Sequence, residues 1–256
     1  MMKSKLGLLI AVVVMSSNVN AQSKAVDYKD GAQTLSGVSI KPTKALKNNP
    51  GVLVLPAWMG ITDHEKETAN RLAALGYSTF VADIYGVDQR PKNYQEAGAK
   101  AGYFKKNINE YHTRIQLALD QLVKHGANPD EIVVIGYCFG GTGAVEAART
   151  NMKVRGIVSF HGGLARDEKR AIDTIVPKVL ILHGADDPYE SKEEIEKFQN
   201  EMRTAKADWQ MTYYANAVHA FTEKSLGTDN SKGAAYNENA DKRSWEAMLN
   251  FLKEIL

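Results

Sequence analysis

Short apolar runs alternate along this chain with longer segments of helical periodicity, and this alternation limits the fold more than any other feature. Each run has four or five mostly apolar residues, which suits a strand and is too short for a buried helix; the runs are residues 51–55, 78–82, 132–135, 156–160 and 179–182. Unbroken apolar runs are typical of strands covered on both faces of a parallel sheet. The sequence therefore predicts the α/β fold class, with a mostly parallel twisted sheet and helices on both faces.

A hairpin at the N-terminus and a long helical stretch in the middle of the chain complete this prediction. Residues 26–30 and 33–41 flank an Asp30-Gly31 turn and predict an antiparallel hairpin. Residues from about 93 to 124 carry a periodic apolar face and are predicted to be helical. The chain has 44% hydrophobic and 24% charged residues, with no linker or repeat after residue 22. We therefore expect a single domain over residues 22–256.

The first 21 residues have the layout of a secretory signal peptide. A short basic start with Lys3 and Lys5 precedes an apolar run over residues 6–15, and small or polar residues follow up to Ala21. The run is too short to span a membrane, so we expect cleavage before Gln22 and a periplasmic or secreted protein. Cleavage changes the formal charge from +2 to zero. Without a basic stripe, nucleic acid and membrane lipid are not expected as partners of the mature form.

The only cysteine of the chain stands in a sharp turn after the strongest predicted strand. The turn reads Gly136-Tyr137-Cys138-Phe139-Gly140-Gly141, and a small-residue helix follows it directly. This strand–turn–helix context fits a nucleophile elbow, in which glycines permit the tight backbone and the nucleophile projects over the sheet edge. The helix N-terminus behind Cys138 favours the thiolate. The simpler alternative is a tight turn in which a small Cys packs.

Chain order predicts where the partners of Cys138 lie, because in this architecture an acid and then a histidine follow the nucleophile. His219 comes after the strand at 211–214 and is favoured as the base; the other histidines are His64, His112, His125, His161 and His183. The acid follows the strand at 179–182, where Asp186 and Asp187 are both available. Asp187 is favoured over Asp186, because a residue before proline is held extended and can point towards the histidine.

These motifs resemble the dienelactone hydrolase family, a Cys-His-Asp branch of the α/β-hydrolases, over nearly the whole mature chain. The similar segments are residues 52–60, 83–86, 136–141, 183–187, 219–221 and 235–245. The resemblance implies Cys138 as nucleophile, His219 as base and then acid, and Asp187 as the residue that orients His219. It also implies an oxyanion hole formed by the backbone N–H groups of Trp58 and Phe139.

The chain departs from the family pattern at three positions. Ala57 stands where well-known members carry a Glu that contacts the resting cysteine, and Gly86 and Glu223 stand where arginines that hold a substrate carboxylate are expected. A carboxylate beside Glu223 would be repelled.

Several apolar residues near the predicted site suggest a substrate pocket. Met59, Tyr85 and Phe221, together with Trp58, would line it. Packing of these side chains in the core is an equal alternative for this set.

The sequence predicts a hydrolase that cleaves a small ester, lactone or thioester through an acyl-cysteine intermediate, with small molecules as its substrates. One Cys and scattered His residues give no metal-ligand spacing, so no metal and no organic cofactor are expected. A monomer is favoured. Two alternatives remain open: a catalytically weak or inactive binding protein with the hydrolase fold, and a redox-active thiol protein.

Overall fold

A computed structural model describes residues 22–256. Its eight strands form one sheet in the order β1-β2-β4-β3-β5-β6-β7-β8. The strands are β1 (Gln22–Asp30), β2 (Gln33–Lys41), β3 (Gly51–Leu55), β4 (Ser78–Val81), β5 (Ile132–Tyr137), β6 (Gly156–Phe160), β7 (Lys178–Gly184) and β8 (Trp209–Tyr214). From β4 to β8 every neighbouring pair is parallel, so the predicted fold class is confirmed. The predicted signal peptide lies outside the described residues.

The N-terminal hairpin is present as predicted and forms one edge of the sheet. β1 and β2 pair antiparallel over their full length around Gly31, whose φ of +55° suits glycine. β2 then pairs antiparallel with β4. The hairpin therefore extends the parallel sheet on the side opposite to β8.

In the described part of the chain, six α-helices cover the two faces of the sheet. They are α1 (Asp63–Ala74), α2 (Tyr94–Lys106), α3 (Ile108–Lys124), α4 (Phe139–Arg149), α5 (Lys192–Thr204) and α6 (Glu238–Ile255). Apolar side chains of α3, α4 and α5 belong to one core cluster, and those of α1 and α6 belong to the other. Within residues 22–256, no helix is long and apolar enough to cross a membrane.

The helical stretch predicted from about 93 to 124 is confirmed, and a break at Asn107 divides it into α2 and α3. Asn107 has φ −102° and ψ 59°, outside the helical region, and its side-chain amide donates to the Tyr103 carbonyl at the end of α2. The Asn107 carbonyl then accepts from the N–H groups of Glu110 and Tyr111 at the start of α3. Asparagine competes well for backbone hydrogen bonds, so this one residue ends α2 and begins α3.

Candidate functional site

The turn after β5 carries Cys138 in a strained backbone conformation. Cys138 has φ +50° and ψ −112°, and α4 begins at the next residue. Glycine is required on both sides. A Cβ on Gly136 would lie 2.0 Å from the Gly140 carbonyl oxygen, and a Cβ on Gly140 would lie 2.2 Å from the Leu55 carbonyl oxygen. The Gly-x-Cys-x-Gly pattern is thus a steric requirement of this turn.

Three side chains from three separate loops meet at this edge of the sheet. The Nε2 atom of His219 lies 3.1 Å from the Cys138 Sγ atom, and its Nδ1 atom lies 2.8 Å from Asp187 Oδ2. The other oxygen of Asp187 accepts the backbone N–H of Tyr189 at 2.9 Å. Asp187 is buried, whereas Asp186 is exposed. The structure therefore brings Cys138, His219 and Asp187 into one hydrogen-bonded line and leaves Asp186 outside it.

The electrostatics of this line favour a thiolate–imidazolium pair. Burial raises the pKa of Cys138, but the hydrogen bond and charge of His219, with a smaller contribution from Lys105, lower it below the usual value. Burial acts in the opposite direction on His219, yet its hydrogen bonds to Asp187 and Cys138 raise its pKa well above the usual range. The direction of both shifts stabilises negative sulfur beside positive imidazole.

His161 supports the turn from the neighbouring strand. The backbone N–H of Cys138 donates both to the Phe160 carbonyl at 3.0 Å and to His161 Nδ1 at 3.2 Å. Nδ1 is therefore the unprotonated nitrogen, and Nε2 donates to the Thr222 hydroxyl at 2.9 Å. Burial lowers the pKa of His161 well below its usual value, which keeps the ring neutral. His161 thus links the cysteine turn to the loop that carries His219.

A buried glutamate and a tyrosine fix the loop that holds Trp58. One oxygen of Glu65 accepts the Ala57 N–H at 3.1 Å, and the other accepts both the N–H and the hydroxyl of Thr62. The Tyr85 hydroxyl donates to the Trp58 carbonyl at 2.8 Å. Phe139, the residue after Cys138, begins the first turn of α4.

The predicted pocket residues have different surroundings. Met59 is half-buried in the loop after β3. Tyr85 is buried and stacks on the Phe139 ring at 5.7 Å, so it packs and positions rather than lining an open surface. Phe221 is fully buried against His161 and Tyr214. Tyr85 and Phe221 therefore pack in the core, which is one of the two alternatives that the sequence leaves open for them.

At two positions that depart from the family pattern, Glu223 and Gly86, nearby residues of this chain fill the surroundings. Glu223 is turned towards Ser225, accepting from its N–H and hydroxyl. Gly86 has φ +102°, and a Cβ there would lie 2.3 Å from the Gln33 amide nitrogen. The nearby Arg90 donates to the buried Asp83 carboxylate. None of these groups is a free cation that could hold a carboxylate.

Sequence reasoning missed Glu65 and the support from His161. His161 could have been found from the sheet register, because Phe160 pairs with Tyr137 and places the next residues of both strands side by side. The Thr62-x-x-Glu65 spacing is that of a capping box and could have predicted the bond from the Thr62 N–H to Glu65, but it does not indicate the bond from the Ala57 N–H. Among the residues that the structure describes, no group of three or more His, Cys, Asp or Glu side chains could hold a metal ion.

The protein has an α/β-hydrolase fold. This follows from the sheet order, from the nucleophile elbow after β5, and from the positions of Asp187 beyond β7 and His219 beyond β8. The profile of the Dienelactone hydrolase family matches residues 35–256, and the chain belongs to this family. Membership supports hydrolysis of small ester or lactone substrates.

Relatives and solved structures agree with this assignment. A putative carboxymethylenebutenolidase of Yersinia pestis is 24% identical over 225 residues, covering 84% of this chain and 81% of the relative. A probable 2-oxo-3-(5-oxofuran-2-ylidene)propanoate lactonase of Bradyrhizobium sp is 26% identical, covering 80% and 83%. A dienelactone hydrolase-like promiscuous phosphotriesterase from metagenomic libraries is 36% identical, with a TM-score of 0.86 and coverage of 92% and 99%.

Proposed function

We propose that the protein hydrolyses small carboxylic esters or lactones through an acyl-cysteine intermediate. The observation that carries this proposal is the line from Cys138 Sγ through His219 to Asp187, with contacts of 3.1 and 2.8 Å. A nucleophile in contact with a base, and a base oriented by a third group, is the arrangement that activates a thiol for covalent catalysis.

The first half of the reaction forms a thioester. The Cys138 thiolate attacks the carbonyl carbon, and the negative charge moves to the carbonyl oxygen. We assign that oxygen to the N–H groups of Trp58 and Phe139, which belong to the loop after β3 and to the first turn of α4. The protonated His219 then gives its Nε2 proton to the departing alkoxide. The carbon–oxygen bond breaks and the acyl group remains on sulfur.

The second half of the reaction hydrolyses the thioester and regenerates the free cysteine. Neutral His219 takes a proton from water at Nε2, and the hydroxide formed attacks the thioester carbonyl. The carbon–sulfur bond breaks, the carboxylic acid leaves, and the thiolate–imidazolium pair is restored. The buried Asp187 carboxylate holds the His219 ring in one tautomer through both halves and stabilises its positive form.

Hydrolysis of p-nitrophenyl acetate by the purified protein tests the proposal. We expect Cys138→Ala to abolish the enzyme-dependent rate, and mass spectrometry of rapidly quenched protein to find an acetyl group on the peptide that contains Cys138. The chain has only one Cys, so blocking it with a small disulfide should also stop hydrolysis, and a reductant should restore it. Full activity of Cys138→Ala, or of the blocked protein, would rule out the mechanism.

A further inference from the structure

Three polar side chains from separate elements converge over Gly163, beside the cysteine turn. Gly163 lies three residues beyond the end of β6, and β6 pairs with β5 next to Cys138. At the place where a Cβ of Gly163 would stand, Thr142 Oγ1 is 3.1 Å away, Glu190 Oε1 is 3.3 Å away and Lys105 Nζ is 3.5 Å away. Because residue 163 has no side chain, these three atoms face one shared space.

The hydroxyl of Thr142 is left without a partner in this space. Thr142 is buried, and its Oγ1 atom makes no hydrogen bond to any residue in 22–256. Its backbone N–H donates to the Cys138 carbonyl, so it stands one helical turn from the nucleophile. Buried polar atoms are usually paired, so an unpaired hydroxyl next to a nucleophile indicates a place for a ligand atom.

The ammonium group of Lys105 supplies a positive charge to the same space. Lys105 lies in the last turn of α2, and within the described part of the chain it forms no salt bridge. Its positive charge is one of the contributions that lower the pKa of Cys138. A cation without an ion-pair partner attracts the anionic group of a substrate.

Glu190 completes the cluster as a hydrogen-bond donor. Its Oε2 atom accepts the Leu164 N–H, so Oε1, which faces the shared space, is free to carry the proton. Burial, together with the negative charges of Glu194 and Asp187, raises the pKa of Glu190 to about 7, against the opposing effects of the Leu164 N–H and of Lys105. Below pH 7 the carboxyl group is therefore neutral and donates, whereas above pH 7 it becomes negative.

We propose that Lys105, Thr142 and Glu190 form a subsite for a carboxylate group of the substrate, which makes carboxylate-bearing esters the preferred substrates. An ammonium and two hydroxyl donors suit the two oxygens of one carboxylate. The subsite uses none of the positions where the family pattern has arginines. Its catalytic consequence rests on the proposed esterase function.

Matched pairs of esters test the preference on both sides of the scissile bond. The acyl-side pair is the mono-p-nitrophenyl ester of adipate against p-nitrophenyl hexanoate, and the alcohol-side pair is 4-acetoxybenzoate against phenyl acetate. At pH 6 we expect the charged member of one pair to have the higher kcat/KM. Lys105→Gln should reduce that ratio about tenfold, the effect of losing one charge-assisted hydrogen bond. Lys106→Gln, the same change at the next exposed residue, should leave the ratio unchanged.

Two further variants separate the roles of the donors. In the natural protein the ratio should fall as pH rises through about 7, because ionised Glu190 repels the carboxylate. Glu190→Gln keeps a donor that does not titrate, so its ratio should stay constant across that range. Thr142→Val should lower the ratio without loss of stability, because the hydroxyl that it removes has no partner.

Alkylation of Cys138 gives a readout that does not depend on turnover. Iodoacetate and iodoacetamide differ by one carboxylate, and the chain has one thiol. Lys105→Gln should lower the ratio of the iodoacetate rate to the iodoacetamide rate, and Lys106→Gln should not. If Lys105→Gln changes neither the ester ratios nor the alkylation ratio, the subsite is wrong even where ester hydrolysis stands. If no ester is hydrolysed but the alkylation ratio falls, the subsite stands and the esterase proposal fails.

Discussion

Replacing Asp187 by Asn tests whether the buried carboxylate sets the charge state of the cysteine. The Asp187 side chain has 0% exposure, and its Oδ2 atom lies 2.8 Å from His219 Nδ1. The variant keeps the size of the side chain and removes the negative charge. The imidazolium form of His219 then loses its charged partner, and the Cys138 thiolate loses stabilisation with it.

The size of the effect follows from this geometry. Two unit charges at that distance attract each other by about 6 kcal/mol at an effective dielectric constant near 20. Most of this attraction offsets the cost of burying the pair. The net value of a hydrogen bond between charged groups is about 2–3 kcal/mol. We therefore expect Asp187→Asn to remove about this much stabilisation of the thiolate–imidazolium pair, so the pKa of Cys138 should rise.

The assay is the rate of Cys138 alkylation by iodoacetamide as a function of pH, measured beside kcat/KM for p-nitrophenyl acetate. In Asp187→Asn the midpoint of the alkylation profile should move upward, and kcat/KM should fall at least about 100-fold. Asp186→Asn is the matched control, since Asp186 is adjacent in sequence and exposed. An unchanged alkylation profile in Asp187→Asn, or an equal shift in Asp186→Asn, would refute the assigned role of Asp187.

Three other substitutions test contacts that hold the cysteine turn, helix α4 and the Trp58 loop in place. Gly140→Ala places a Cβ against a β3 carbonyl oxygen, so stability measured by urea unfolding should fall by at least about 3 kcal/mol; an unchanged midpoint would contradict the close approach. Arg149→Met removes the guanidinium that pairs with the buried Glu146 and Glu201, and it should cost about 3–5 kcal/mol in the same measurement. A loss below about 1 kcal/mol would show that Arg166 and Arg170, which also pair with these glutamates, are sufficient. Tyr85→Phe removes the hydroxyl that holds the Trp58 carbonyl and should lower kcat/KM about fivefold, with unfolding changed by no more than about 1 kcal/mol. Unaltered kinetics there would mean that Tyr85 does not position this loop.

The strands and the cysteine turn follow from local pattern alone. Runs such as 132–135 have no polar residue to place on a solvent face, so burial on both sides is their only stable arrangement. Because the carboxyl ends of parallel strands meet at one edge, the order of Cys138, Asp187 and His219 along the chain places all three at that edge. The break at Asn107 was not predictable in this way, since the apolar period continues through it into α3.

The subsite over Gly163 could not be predicted, because it depends on how elements pack rather than on spacing. Lys105 reads as a solvated charge at the end of a helix, and Thr142 reads as a small residue inside one. Only the absence of a side chain at Gly163, combined with the approach of α2 and the Asp187 loop, brings their polar atoms together. Such convergence is set by tertiary contacts that no local pattern encodes.

The cysteine and its base are 81 residues apart in the chain, and this distance has a consequence for folding. Contacts of such long range form late, because the closure of long loops opposes them until the intervening strands are paired. Before that point Cys138 is an ordinary thiol, and only the completed sheet gives it a basic neighbour. Fast alkylation of Cys138 at mildly acidic pH therefore reports, during refolding, that the sheet has brought His219 beside the thiol.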